Sequence, residues 1–319
     1  MTQADTRPPA IFLMGATATG ETALACALAE RFALGLVSVD SALVYRGLDI
    51  GSAKPDAATL ARHPHRLIDI REPDAPYSAA DFRRDALAAM DAIRDEGRVP
   101  LLVGGTGLYF RALALGLSDL PDASPAVRTR IAEEAGRVGW PALHARLAAL
   151  DAAASERIRA GDAQRIQRAL EIIELTGKPL SAQTGGVPVR PPWRILKLAL
   201  VPRDRTRLHA RIAGRFDAML AAGFLDEVRA LRARGDLDPA LPALRAVGYR
   251  QAWEHLEGTV DGPTFRERAI FATRQLAKRQ TTWLRGELDA RWLDPDDPGS
   301  GALATDAVRS FLGPPVGNW

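Results

Sequence analysis

The chain has 319 residues, 47% hydrophobic and 25% charged, which is the balance of a soluble globular protein with room for one large domain or two modest ones. A formal net charge of only +3 permits an acidic partner without demanding one. The single cysteine, Cys26, rules out an internal disulfide and fits a reducing, cytoplasmic setting; no signal-peptide pattern, membrane-length apolar run or zinc spacing is present.

In chain order, residues 11–14 form a short apolar run that stops at Gly15, passes through small residues to Gly20, and enters an Ala/Leu-rich segment with helical spacing. This is the layout of strand, phosphate loop and helix, G-x-x-x-x-G-K-[ST], in which glycines let backbone N–H groups approach an anion and the helix N-terminus adds partial positive charge. Thr22 stands at the Mg²⁺-binding hydroxyl position, but Glu21 stands where the lysine belongs. On this stretch alone, a phosphate loop and a tight strand-to-helix turn are equally good readings.

Residues 34–40 are a second β-rich run ending in Asp40, and residues 67–70 suit a short third strand. Ser78 to Glu96 reads as a helix, with Ser78 as N-cap and Phe82, Ala86, Ala89 and Ile93 recurring at helical spacing. Residues 99–103 are a buried strand running into Gly104-Gly-Thr-Gly107. Strands alternating with helices predict a parallel α/β sheet, with ligands beyond the carboxyl ends of its strands. Gly15, Asp40 and Gly104 to Gly107 then share one edge. From residue 119 to 190 the pattern is helical, an insertion into a core made of 1–118 and 191–319. The chain rejoins the sheet at 195–201; residues 203–292 read as helical and the C-terminal tail as peripheral.

Asp40 has two physical uses beside a phosphate loop, holding Mg²⁺ or accepting a proton; its structural alternative is to cap the next turn with Ser41. Gly104 to Gly107 offers backbone donors and the Thr106 hydroxyl, or simply a glycine-rich turn.

Taken together, these segments resemble the tRNA dimethylallyltransferases, also called tRNA isopentenyltransferases. The resemblance rests on the phosphate loop, VDSALVYRGLDIGSAKP at 39–55, HRLID at 65–69, YSAADF at 77–82 and LVGGTGLY at 102–109. It continues through QRIQRALE at 164–171, LRAVGYRQ at 244–251 and RQLAKRQTTWLR at 274–285, covering nearly the whole chain. It implies a P-loop NTPase-like core and transfer of a dimethylallyl group from dimethylallyl diphosphate to N6 of the adenine 3′ to a tRNA anticodon, by a monomer using Mg²⁺. By this resemblance Gly15, Ala16, Thr17, Ala18, Thr19, Gly20, Glu21 and Thr22 hold the diphosphate, and Thr22 and Asp40 the metal. Asp40 is the general base, with Thr106 and Arg215 at the reacting centre.

The tRNA-facing set it implies is Asp40, Ser41, Ala42, Leu43, Thr106, Arg128, Gln164, Arg165, Ile166, Gln167, Arg168, Arg245, Gly248, Tyr249, Arg250, Lys278, Arg279, Gln280, Trp283 and Arg285. Arg274, Lys278 and Arg285 share a helical stripe suited to tracking phosphates, or to an ordinary amphipathic surface. Ala16 and Thr19 replace the family's usual proline and serine. Glu21 replaces +1 with −1 beside an anion, which puts diphosphate binding and turnover in question. A silent tRNA-binding homologue is the alternative of another class. A small-molecule P-loop kinase is disfavoured by the missing lysine.

Overall fold

The computed structural model describes residues 5–118, 120–184 and 192–313. Its sheet has six strands: β1 (Pro9–Gly15), β2 (Leu34–Ser38), β3 (His65–Arg66), β4 (Val99–Gly104), β5 (Arg194–Leu200) and β6 (Arg291–Leu293). Their order is β3-β2-β4-β1-β5-β6, and every pairing is parallel. Side chains alternate across β1. Phe12 and Met14 enter the core on one face of the sheet, Ile11 and Leu13 the core on the other. Both faces being covered explains why the strands read as apolar runs rather than as alternation.

Helix Ala79–Asp95 starts where the Ser78 hydroxyl accepts from the Asp81 N–H and the Asp81 carboxylate accepts from the Ser78 N–H, a reciprocal cap. Its face of Phe82, Ala86, Met90 and Ile93 is buried. β1 lies centrally, and the chain leaves it leftward for β2 but later returns to its right at β5. The loop after β1 therefore opens at the point where the strand order reverses, the usual ligand position in such sheets.

Two expectations need correction. The third strand is His65–Arg66, because Leu67 (φ 67°) and Asp69 (φ 55°) adopt left-handed backbone that cannot continue a strand. Nor is the C-terminal region purely helical and peripheral. β6 pairs with β5, and helix Ser300–Leu312 buries Ala304, Ala307 and Val308 against the sheet. Residues 184–192, rich in glycine, proline and valine, fall mostly outside the described residues.

Contacts divide the chain into one unit of Met1–Ala114 with Pro191–Trp319 and another of Leu115–Arg190. Among its described residues the second unit is helical from Pro125 to Gln183, around a core that includes Ile131, Leu143, Leu147, Ile166 and Leu170. The fully buried Glu171 carboxylate in this unit accepts from Arg128, Arg168 and the Ser124 N–H. Against the upward push of burial, these three donors hold its carboxyl below the ordinary value. Among the described residues no helix is long and apolar enough to cross a membrane.

Candidate active site

The loop after β1 turns through Ala18 (φ 66°) and Gly20 (φ 85°), and helix Glu21–Ala29 begins at once. Thr19 is buried beneath the loop and donates its hydroxyl to the Ala16 carbonyl at 2.7 Å. A Cβ on Gly15 would come within 2.7 Å of the Thr19 Oγ1, so the tight turn requires glycine there. Gly15, Ala16 and Thr19 thus form the floor of the loop, while Thr17, Ala18, Gly20, Glu21 and Thr22 line a cavity of about 940 Å³.

The same cavity is walled by Asp40 to Leu43 after β2, by Gly105 to Leu108 after β4, and by Arg245 to Tyr249. Asp40 Oδ1 accepts from the Ala42 and Leu43 N–H groups at 2.7 and 3.2 Å. The capping role is therefore real, but it occupies one oxygen and leaves Oδ2 with no protein donor among the described residues. Thr106 Oγ1 accepts from the Ser41 N–H at 3.2 Å, so its own proton remains available to a ligand.

Helix Arg205–Ala221 contributes Arg215, named from the sequence, and further residues that sequence reasoning missed. Arg215 donates to Thr17 Oγ1 at 3.0 Å, and Ile212, Phe216 and Met219 line the cavity beside it, giving an apolar wall next to a guanidinium. One turn earlier, Arg211 Nε donates to the Ala18 carbonyl at 3.1 Å, bracing the left-handed residue of the loop. Burial lowers Arg215 from its ordinary value while the Glu21 and Asp40 charges oppose that shift. A guanidinium stays cationic regardless. Burial pushes the Glu21 carboxyl up, opposed by the N–H at its own helix start, by Thr19 and by Arg215, and reinforced by Asp40.

A family model described as IPP transferase matches residues 43–287. The chain belongs to the IPP transferase family. Among its relatives is the tRNA dimethylallyltransferase of Thiobacillus denitrificans, 60% identical over 304 residues, which are 95% of this chain and 97% of that protein. The tRNA dimethylallyltransferase of Stenotrophomonas maltophilia is 59% identical over 314 residues, 96% and 99% of the two chains. Among solved structures, the full-length tRNA isopentenylpyrophosphate transferase of Bacillus halodurans matches with a TM-score of 0.71 and 33% identity, covering 96% of this chain and 97% of that one. The fold is accordingly the P-loop NTPase-like core of that family.

Within this IPP transferase, the remaining residues named from sequence fall into three groups. Ser41, Ala42, Leu43, Arg245, Gly248, Tyr249, Arg279, Gln280 and Trp283 line the cavity, although the Tyr249 hydroxyl is spent on Glu227 at 2.6 Å. Arg250, Lys278 and Arg285 are exposed, whereas Arg274 is half-buried with a buried Nε that has no partner, so the proposed stripe is not uniformly solvated. In the second unit Gln164, Arg165 and Gln167 are not buried. Arg128 and Arg168 are committed to Glu171, and Ile166 is fully buried in the core. Ile166 must therefore be corrected from a tRNA contact to a core residue; helical spacing alone marked it as apolar and inward.

Thr22 and Asp40 supply hard oxygen donors on one cavity, and among the described residues no group of three or more His, Cys, Asp or Glu side chains could cage a metal. Two protein oxygens beside an anion site suit Mg²⁺, which keeps several waters and shares its shell with phosphates.

Proposed function

We propose that this chain transfers a dimethylallyl group from dimethylallyl diphosphate to N6 of the adenine 3′-adjacent to the anticodon of tRNA, acting as a cytoplasmic monomer. The observation that carries this reading is a single cavity in which a phosphate loop, an apolar wall with a guanidinium, and a carboxylate oxygen with no protein donor among the described residues meet. The relatives named above carry the tRNA dimethylallyltransferase name, which supports the substrate pair.

The roles follow from the donors and acceptors in place. Loop N–H groups, the helix start at Glu21 and Arg215 bind the diphosphate; Ile212, Phe216 and Met219 receive the five-carbon tail. As the C–N bond forms and the C–O bond breaks, the electron pair leaves with the diphosphate. The N6 proton passes to Asp40 Oδ2, held by the two N–H bonds on its other oxygen. Thr106 can donate its hydroxyl to the incoming base or the leaving group. Thr22 and Asp40 would hold Mg²⁺, whose charge would offset that of the diphosphate. A cavity set behind the strand ends admits an adenine only after it is unstacked from its loop.

One observation favours a second reading. Glu21 places a carboxyl in the anion site, so a tRNA-binding protein without turnover is the competing outcome. Transfer of a labelled dimethylallyl group to an anticodon stem-loop, with and without Glu21→Lys, decides between them. Transfer by the chain as it stands supports the enzyme; transfer by the Glu21→Lys protein alone supports the tRNA-binding protein without turnover, and none by both overturns the enzyme.

A further inference from the structure

Gln280, in helix Gly262–Leu284, bridges the two halves of the cavity through both ends of its amide. Its Oε1 accepts from the Thr17 N–H at 2.9 Å, in the phosphate loop, and its Nε2 donates to the Gly105 carbonyl at 3.0 Å, beside Thr106. The amide orientation follows from the chemistry, since flipping it would set N–H against N–H and oxygen against oxygen. The fit is close. A Cβ on Gly105 would lie 2.2 Å from Gln280 Nε2 and 2.9 Å from the Gly15 carbonyl, and one on Gly107 would lie 2.4 Å from the Trp283 ring. Glycines at 105 and 107 thus make the space into which Gln280 and Trp283 seat the helix.

We propose that Gln280 is a positioning residue that fixes the distance between the diphosphate-binding loop and the acceptor-binding segment at Gly105-Thr106, and so sets the near-attack geometry of transfer. This rests on the functional reading above. It departs from the expectation that Gln280 is an RNA contact, because both of its polar ends are turned inward. The amide offers donor and acceptor on one rigid plane at any pH, and asparagine is one methylene too short to reach. Exposed Lys278 lies on the same helix and exposed Arg285 caps its end, so a load on these side chains bears on the element that holds Gln280.

The test has two arms. In the chain as it stands, Gln280→Met keeps the volume and removes both bonds. Amide hydrogen exchange at Thr17 should become about five- to tenfold faster, the population change expected from losing one hydrogen bond, with helix Ala79–Asp95 unchanged. Unchanged exchange at Thr17, or faster exchange throughout the sheet, overturns the proposal in favour of no role or a generally structural one. In a Glu21→Lys background, Gln280→Met should lower the single-turnover transfer rate at saturating substrates by about 10²-fold, with stem-loop and pyrophosphate affinities almost unchanged. Gln280→Glu, which keeps the acceptor for Thr17 but sets oxygen against the Gly105 carbonyl, should not rescue it. A loss confined to stem-loop affinity would make Gln280 an RNA contact instead. If the Glu21→Lys protein itself transfers nothing, the functional reading fails while the exchange arm still decides whether Gln280 holds the two segments.

Discussion

Glu21 Oε2 lies 3.0 Å from Thr19 Oγ1, and the same hydroxyl lies 2.7 Å from the Ala16 carbonyl. A threonine has one proton to give, and a carbonyl can only accept. The Thr19 hydroxyl proton is therefore shared between the Ala16 carbonyl and the Glu21 carboxyl, two acceptors on one donor. The phosphate loop thus ties the carboxyl to its own buried threonine, close to where an anion would sit.

Substitution at this position should separate repulsion from attraction. Glu21→Gln removes the negative charge and is expected to raise pyrophosphate affinity at neutral pH; Glu21→Lys should raise it further and speed transfer. Calorimetric titration of the three proteins checks this. Equal affinity in all three would place the anion elsewhere.

The pH dependence has a definite sign. Burial holds the Glu21 pKa above its ordinary 4.5, so the group is neutral at low pH and ionises as pH rises through the raised value. Pyrophosphate affinity of the chain should therefore fall with rising pH relative to Glu21→Gln, which cancels the ligand's own titration. The stability contribution runs the same way: fully present below 4.5 and lost as pH climbs through the folded-state value. Arg215, Asp40 and Arg279 also face this cavity, but Glu21→Gln leaves all three in place. Parallel pH curves for the two proteins would refute the linkage.

Asp40→Ala in a Glu21→Lys background should slow transfer by roughly 10²–10⁴-fold with stem-loop affinity little changed. Rapid quench at saturating RNA reads the chemical step. Near-normal transfer would leave Asp40 as a cap alone.

Lys278→Ala with Arg285→Ala should weaken stem-loop binding and flatten its dependence on salt, because fewer counterions are released. An unchanged slope would assign both side chains to ordinary solvated surface.

In the second unit, Glu171→Ala should destabilise by about 2–4 kcal/mol, toward the low end because Arg128 is 44% exposed and can rehydrate. With its carboxyl held low, the contribution of Glu171 is present above the unfolded pKa and is lost as pH falls through the folded one. Thermal unfolding at neutral pH and at pH 3 should show the variant's deficit shrinking in acid.

The strands β1, β2 and β4 and the capped helix at Ala79 were legible because each announces itself locally, by an apolar run or by Ser78 ahead of apolar residues at helical spacing. β6 was not, since three residues carry no period. Leu67 and Asp69 have strand-compatible composition but left-handed backbone, which neighbours impose. At the site, Thr22, Asp40 and Thr106 sit at fixed offsets from glycines and strand ends. Arg211 and the inward role of Gln280 depend on partners 193 and 263 residues away, and nothing nearby in the sequence hints at either.

The pairing of β1 with both β4 and β5 has a consequence for how the protein is made. β1 and β4 can zip together early, from Ile11 opposite Leu101 onward, but the other edge of β1 waits for Arg194–Leu200. Until the ribosome has delivered that stretch, the most apolar strand of the sheet offers an unsatisfied row of N–H and C=O groups to any passing chain. A nascent polypeptide halted before Trp193 should be aggregation-prone and readily cut by protease, and one carried beyond Leu293 resistant. Premature termination between β4 and β5 would then yield a burden on the chaperones rather than a weakened enzyme.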